Sequence, residues 1–122
     1  MIKNTHEIKV LNKYHDSVAI AAARANDNFR VIDIMRGSLL GNPYIMRDKT
    51  DAERDRVIAQ YRLWLWDHMK RRTSTGNVIG NVIYALAKSK ETIYLVCCCK
   101  PRKCHGDVIK AAIEWVREQS NN

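Results

Sequence analysis

The chain has 122 residues, 28% of them charged, and a formal net charge of +8 at pH 7. It holds no apolar run near the roughly 20 residues of a membrane helix and no signal-peptide core, so we expect a cytoplasmic protein without a membrane partner. The excess of positive charge favours an anionic partner, either a phosphate-bearing small molecule or a nucleic acid.

Strands and helices alternate along the chain, as the spacing of apolar residues and the positions of turn residues indicate. A capping box formed by Thr50 and Glu53 marks the clearest helix start. The predicted elements are strand 7–12, helix 16–27, strand 29–35, loop 36–49, helix 51–72, helix 78–89, strand 91–99 and helix 105–119, followed by a frayed tail at 120–122.

This β-α-β-α-α-β-α order predicts a single α/β domain over residues 1–122. The expected architecture is a small three-layer sandwich, with a mainly parallel sheet of about three to four strands flanked by helices. Ligands bind such sheets beyond the carboxyl ends of the strands. The loops at that edge would be 36–49 and 99–105, so we expect the functional site there.

Arg54 lies in the first turn of helix 51–72, on the apolar face that also carries Tyr61. A cation is doubly unexpected there, because the helix dipole disfavours positive charge and the face should be dry. A bound anion would explain Arg54. The alternative is that its side chain reaches solvent or pairs with a carboxylate such as Asp33 or Asp48.

The loop RGSLLGNPY, which begins at Arg36, is the second candidate for anion binding. Gly37 and Gly41 would allow backbone amides to approach a ligand, and Arg36 and Ser38 could hold a phosphate or a carboxylate. The loop is not a Walker sequence and lacks the spacing of a dinucleotide fingerprint. The alternative is a plain turn before a helix.

All four cysteines fall within residues 97–104, and His105 follows them. Zinc could be bound by Cys97, Cys99, Cys104 and His105, but paired C-x-x-C knuckles are absent, so we predict no metal and no cofactor. In a second interpretation the thiols are small packing residues. Cys97 and Cys98 would then lie in the core, while Cys99, Cys104 and His105 would line a pocket.

A reactive thiol is the third interpretation of the cluster. Cys104 lies near the predicted start of the last helix and among basic residues, both of which lower the pKa of a thiol. Either Cys104 would be the nucleophile, or His105 and Asp107 would act as acid and base. The helix dipole alone would also explain Asp107.

Three ordered blocks resemble a known family. The first is IMRGSLLGNPY at 34–44, the second is R-x-x-V-I-x-x-Y-x-x-W-L from Arg54, and the third is LVCCCKPRKCHGDVI at 95–109. Together they resemble the domain-of-unknown-function family 4326, small proteins of phages and bacteria, over residues 30–110. Met35 stands where the family has glycine, and residues 13–28 resemble an insertion, a possible lid or partner surface.

The resemblance implies an α/β domain whose three blocks converge on one site, but it supplies no activity. The function that we predict is the binding of an anionic, nucleotide-derived small molecule in a pocket at the carboxyl edge of the sheet. The family's phage setting suggests sequestration of a nucleotide immune signal in the host cytoplasm. The predicted ligand-binding residues are Arg36, Ser38, Asn42, Arg54, Tyr61, Cys99, Cys104 and His105.

Two alternative functions stay open. One is a hydrolase or transferase that acts on a nucleotide or its glycosidic bond through a Cys/His site. The other is a basic nucleic-acid-binding protein, whose affinity would fall steeply with salt. Leu63 and Trp66 lie off the apolar face of their predicted helix, which suggests a surface for a homo-oligomer.

Overall fold

The computed structural model describes residues 7–71, 77–89, 91–100 and 102–120. The order of elements is the predicted one, which confirms the α/β fold. Predicted features at Arg72, at the break 73–76, at Pro101 and in the tail 121–122 lie outside the described residues. The elements are β1 (Ile8–Asn12), α1 (Ser17–Arg24), β2 (Phe29–Asp33), α2 (Asp51–Lys70), α3 (Val78–Lys88), β3 (Thr92–Cys97) and α4 (Gly106–Ser120).

The three strands form one parallel sheet in the order β1-β3-β2. The chain crosses from β1 to β2 through α1 and returns to the central β3 through α2 and α3. Because such crossovers are right-handed, the reversal of direction places α1 on one face of the sheet and α2 and α3 on the other. α1 packs against β2 and buries Ile20 and Ala23. The predicted three layers follow from this topology.

The main core lies between the sheet and the helices α2, α3 and α4. Alternate residues of β3 point into it, as Ile93, Leu95 and Cys97 do. The start of α4 lies close against the strands, because a Cβ atom on Gly106 would sit 2.8 Å from side-chain carbons of Val10 and of Ile34. This contact brings the loop before α4 to the carboxyl edge of the sheet.

The strands are shorter than predicted, and one consequence concerns Cys98. β3 ends at Cys97, so the backbone of Cys98 lies in a bend and its side chain is exposed. The prediction that Cys98 packs in the core is therefore wrong, whereas Cys97 is buried as expected. In the described part of the chain, no helix is both long and apolar enough to cross a membrane.

Candidate functional site

A pocket of about 150 Å³ lies at the carboxyl edge of the sheet, between the loop after β2, the first turns of α2 and the loop after β3; we call it the edge pocket. Six predicted residues line it: Arg36, Asn42, Arg54, Cys99, Cys104 and His105. Ser38 and Tyr61, which were also predicted, are not among the lining residues. Others that line it are Met35, Tyr44, Met46, Val57, Ile58, Cys97, Cys98 and Lys103.

The charge of the edge pocket is positive. Arg36, Arg54 and Lys103 line it, and none of the lining residues in the described part of the chain is Asp or Glu. Arg54 is half-buried, and its Nη1 donates a hydrogen bond to the carbonyl oxygen of Lys103 at 3.2 Å. No ion pair of Arg54 with Asp33 or Asp48 occurs among the described residues. Lys103 pairs with Asp55 at 3.4 Å, outside the pocket lining, whereas no ion pair of Arg36 or Arg54 occurs among the described residues. These two guanidinium groups favour an anion at this place.

The loop from 34 to 50 is held by bonds within itself, which explains Ser38 and the glycines. The Ser38 hydroxyl and the Ser38 amide both donate to the carbonyl oxygen of Met35, at 2.6 and 3.0 Å. Gly37 has a φ of +93°, which favours glycine. A Cβ on Gly41 would lie 2.5 Å from the Met35 oxygen. These residues form a compact turn beside the pocket.

Tyr61 anchors the same loop from the core. It is fully buried, and its hydroxyl donates a hydrogen bond of 2.7 Å to the carbonyl oxygen of Leu40. Its ring packs edge-on against the imidazole of His105, with 4.8 Å between ring centroids. Burial raises the pKa of Tyr61, so its phenol stays protonated. Tyr61 therefore lies behind the pocket and fixes two of its walls.

A buried carboxylate holds the far end of this loop. Glu53 accepts the backbone N–H of Arg47 at 2.7 Å, and the guanidinium groups of Arg47 and Arg56 both bind it. Arg56 also donates to the carbonyl oxygen of Ile45 at 3.1 Å. Thr50 caps α2 by accepting the Glu53 N–H at 3.2 Å, so only half of the predicted capping box forms. The Glu53 side chain turns instead to the arginines.

Asn12, at the end of β1, holds the cysteine loop. The buried Asn12 side chain donates to the carbonyl oxygen of Lys100 at 2.7 Å and accepts the N–H groups of Tyr14 and His15. The carbonyl oxygen of Cys97 accepts the N–H of Lys13 at 2.7 Å. The loop that carries Cys99 is thus tied to the neighbouring strand on one side.

Three thiols meet in the edge pocket. Cys104 is buried and interacts with the thiols of both Cys97 and Cys99. Cys104 keeps its proton and has a strongly raised pKa. Because that one proton can be donated to only one sulfur at a time, the contact lowers the pKa of Cys97 and of Cys99 without making both of them thiolates together. The Arg54 guanidinium also lowers the pKa of Cys99. At neutral pH the accessible thiolate is therefore at Cys99.

His105 is neutral and serves as a structural contact. Burial lowers the pKa of its imidazole, and the charge of Arg36 lowers it further. Its Nε2 lies 2.7 Å from the carbonyl oxygen of Ile34, and because that oxygen only accepts, Nε2 carries the proton. The bare Nδ1 lies 3.8 Å from the Sγ of Cys104.

The three catalytic candidates, Cys104, His105 and Asp107, do not converge around one reacting position. Cys104 is the most protonated thiol of the cluster, and the proton-bearing nitrogen of His105 is engaged with the backbone. Asp107 does not line the edge pocket, and it pairs with Lys100 at 2.8 Å. The first amides of α4 also bind internally, the N–H of Gly106 to the Cys104 sulfur at 3.3 Å and that of Asp107 to the Cys104 oxygen.

No group of three or more His, Cys, Asp or Glu side chains suited to a metal ion occurs in the described part of the chain. A second and larger cavity, of about 810 Å³, lies between α2 and α4; we call it the helix groove. Leu63, Trp66 and Trp115 are exposed along it, and the two indole rings pack edge to face at 5.5 Å. The exposure of Leu63 and Trp66 agrees with the sequence, and the homo-oligomer stays a prediction.

Two residues that line the pocket, Lys103 and Cys97, were not among the predicted ligand-binding residues. Lys103 is one of the basic residues expected to lower the pKa of the Cys104 thiol, and its place directly before Cys104 in the loop between β3 and α4 is a usable signal. Cys97 was expected as a core residue or, in the zinc interpretation, as a metal ligand, and it lines the pocket.

Comparison with known proteins gives one match. The family described as "Domain of unknown function (DUF4326)" matches residues 18–115, which is most of the chain. The match begins within the segment 13–28, and α1 lies in that segment. No curated protein and no solved structure shows significant similarity to the chain.

Proposed function

The chain belongs to this DUF4326 family, whose description assigns no activity, and from the edge pocket itself we propose that the protein binds an anionic, nucleotide-derived small molecule. The observation that carries this proposal is the charge of the pocket. Arg36, Arg54 and Lys103 line it, and no carboxylate is among its described lining residues. Guanidinium groups bind phosphates and carboxylates through paired, charge-assisted hydrogen bonds.

The position of the pocket supports the same proposal. The pocket lies beyond the carboxyl ends of β2 and β3, which is the edge at which parallel α/β sheets bind ligands. The backbone amides of α4 are used internally, so the anion would be held by side chains and not by a helix N-terminus. Arg54 is the central residue, because its guanidinium also reaches the loop after β3.

The size of the pocket limits how the ligand binds. Its volume of about 150 Å³ is below the roughly 300–1,000 Å³ of pockets that enclose a drug-sized molecule. A phosphate with part of its ribose would fit inside, and the base would extend over the rim, near Tyr44 and Arg36. Sequestration of a nucleotide signal is the biological role that this proposal would serve.

An enzyme is the second candidate, and the thiolate of Cys99 favours it. A hydrolase or transferase would use Cys99 as its nucleophile, because Cys104 stays protonated. The two candidates differ in turnover. A binder returns the nucleotide intact after incubation, whereas an enzyme releases a product that disappears when Cys99 is replaced by Ser.

The experiment begins with native mass spectrometry of the purified protein, followed by calorimetric titration with nucleoside mono-, di- and cyclic phosphates and with inorganic phosphate. Arg54→Gln should weaken binding about 10- to 100-fold, the usual loss for a hydrogen bond to a charged group. Arg62→Gln is the matched control, since Arg62 is exposed on the same helix and lines the helix groove instead. Equal affinities of the two variants would refute the proposal.

The nucleic-acid alternative gives a different result in the same experiment. Binding that depends on overall charge would fall to a similar extent in both arginine variants and would decrease steeply with salt. Binding in the edge pocket depends on Arg54 and only weakly on salt. A bound zinc ion in the native mass would point to the cysteine cluster as a metal site and would also contradict the proposal.

A further inference from the structure

The thiol of Cys104 lies beside those of Cys97 and Cys99 in the edge pocket, and the fourth thiol, that of Cys98, neighbours Cys99 from the solvent side. Cys97 and Cys104 are buried, Cys99 is half-buried, and all three line the edge pocket. Cys98 also reaches the rim of the pocket, but its side chain is exposed. The bend after β3 produces this arrangement, because it turns Cys98 outward and Cys99 back toward Cys104.

The environment of each thiol gives it a different chemical role. Cys104 receives the N–H of Gly106 on its sulfur at 3.3 Å and interacts with the thiol of Cys99. It is the protonated member of the pair. Cys99 faces the Arg54 guanidinium and is open to the pocket, so it is the member that meets a reagent from solvent.

We propose that Cys99 and Cys104 form a redox-active thiol pair, in which a hydroperoxide oxidises Cys99 and Cys104 then closes a disulfide with it. An accessible thiolate beside a cation, with a second thiol in contact, is the arrangement found in oxidation-sensing cysteines. The proposal rests on the thiol geometry, and it holds whether or not the pocket binds a nucleotide.

The disulfide forms in two steps, oxidation of Cys99 and attack by Cys104. The Cys99 thiolate attacks one oxygen of hydrogen peroxide, the O–O bond breaks, and Cys99 becomes a sulfenic acid while hydroxide leaves. The Cys104 sulfur then attacks the Cys99 sulfur, the S–O bond breaks, and water leaves with the Cys104 proton. Hydrogen peroxide is the two-electron oxidant, and a small dithiol such as dithiothreitol reverses the reaction.

If solvent exposure alone decided which thiol reacts with peroxide, the oxidation product would be different. The most exposed thiol, Cys98, would then react first and would link two copies of the chain or stop at sulfenic acid. Burial also distinguishes the two possible disulfide partners of Cys104, which are Cys97 and Cys99. Cys97 is almost fully buried, so it does not meet peroxide directly. The identity of the linked cysteines therefore decides between the proposed pair and its competitors.

The test uses the full chain treated with equimolar hydrogen peroxide at pH 7, blocked with N-ethylmaleimide and digested with trypsin without reduction. Trypsin separates the peptide 91–102, which contains Cys97, Cys98 and Cys99, from the peptide 104–110, which contains Cys104. The expected product is a cross-link between these two peptides, with fragment ions that locate it at Cys99. Dithiothreitol should remove it.

Three variants, each with one cysteine replaced, identify the linked residues independently of the peptide map. Cys98→Ser is the matched control: serine keeps a donor beside Cys99, so the variant should still form the cross-link between Cys99 and Cys104. Cys99→Ser should slow peroxide consumption at least tenfold, and Cys104→Ser should leave a Cys99 sulfenic acid that dimedone traps. A cross-link that survives in Cys99→Ser, a disulfide-linked dimer through Cys98, or no cross-link in the wild type would each overturn the proposal. The wild-type map needs no variant, so misfolding of a variant does not weaken the test.

Discussion

The acidity of Cys99 predicts how its alkylation depends on pH, with Cys98 beside it as an internal reference. Cys104 and Arg54 hold the pKa of Cys99 at about 5, whereas burial and the neighbouring thiols raise the pKa of Cys98 above its ordinary value of 9.0. The other groups that face Cys99 are Cys97 and the neutral His105. We expect Cys99 to be alkylated at a pH where Cys98 no longer reacts.

The size of the effect depends strongly on the pH that is chosen. At pH 7 Cys99 would be about 99% thiolate and Cys98 about 1% or less, but a thiolate whose pKa is lower by at least about 4 is also at least roughly 40-fold less nucleophilic. The two effects nearly cancel. At pH 5.5 the thiolate fractions differ by at least roughly 2,400-fold, so Cys99 should react at least about 20 times faster.

The change in the ratio of Cys99 to Cys98 alkylation between pH 7 and pH 5.5 depends on fewer factors than the ratio at either pH. Half-burial of Cys99 and its lower nucleophilicity act equally at both, so they divide out, and the ratio of Cys99 to Cys98 alkylation should rise about 20-fold from pH 7 to pH 5.5. Limited iodoacetamide treatment, followed by fragmentation of the peptide 91–102, measures this ratio. Rates that fall tenfold per pH unit at both residues would refute the reasoning. Arg54→Gln should shift the Cys99 profile to higher pH.

Three further predictions concern the scaffold of the site. Tyr61→Phe leaves the buried carbonyl oxygen of Leu40 without its donor, so chemical denaturation should show a loss of about 1–3 kcal/mol, and calorimetry should show unchanged anion affinity; weaker binding at equal stability would make Tyr61 a ligand contact. Two arginines hold the pKa of Glu53 well below its usual range, so its contribution to stability is present above pH 4.5, the ordinary pKa, and declines in stronger acid. Glu53→Gln should accordingly lower the denaturation midpoint at pH 7 more than at pH 3, and an equal loss at both would contradict this. Gly106→Ala places a methyl group 2.8 Å from two core side chains and should cost about 1–3 kcal/mol, with an unchanged midpoint as the refuting result.

The order of the elements was predictable because each has a local signal. The alternation of apolar residues marks the strands, and Thr50 marks the start of α2 through a hydrogen bond that its own side chain makes. The ends of the strands have weaker signals. Cys97, Cys98 and Cys99 are three identical small residues, so nothing in their order shows that β3 stops after the first. That one boundary decides which thiol reaches solvent.

Tyr61 shows why a shared helix face does not imply a shared site. It lies seven residues after Arg54, which is two helical turns and about 10.5 Å along the axis. The two side chains point in similar directions, but Arg54 is at the sheet edge and Tyr61 is within the core. Ser38 illustrates the same limit, because its bond to Met35 depends on a loop conformation that spacing does not predict.

Arg54 takes part in both anion binding and the chemistry of the thiol pair, because it faces the Cys99 thiolate and lines the space for an anion. One guanidinium cannot give its full interaction to both negative groups. Binding of an anion should therefore raise the pKa of Cys99, and by thermodynamic reciprocity the thiolate should weaken anion binding by the same factor. Oxidation to a disulfide removes that thiolate charge. It would leave the Arg54 guanidinium to the anion alone, so the oxidised protein should bind phosphate more tightly than the reduced protein wherever the disulfide leaves the pocket open.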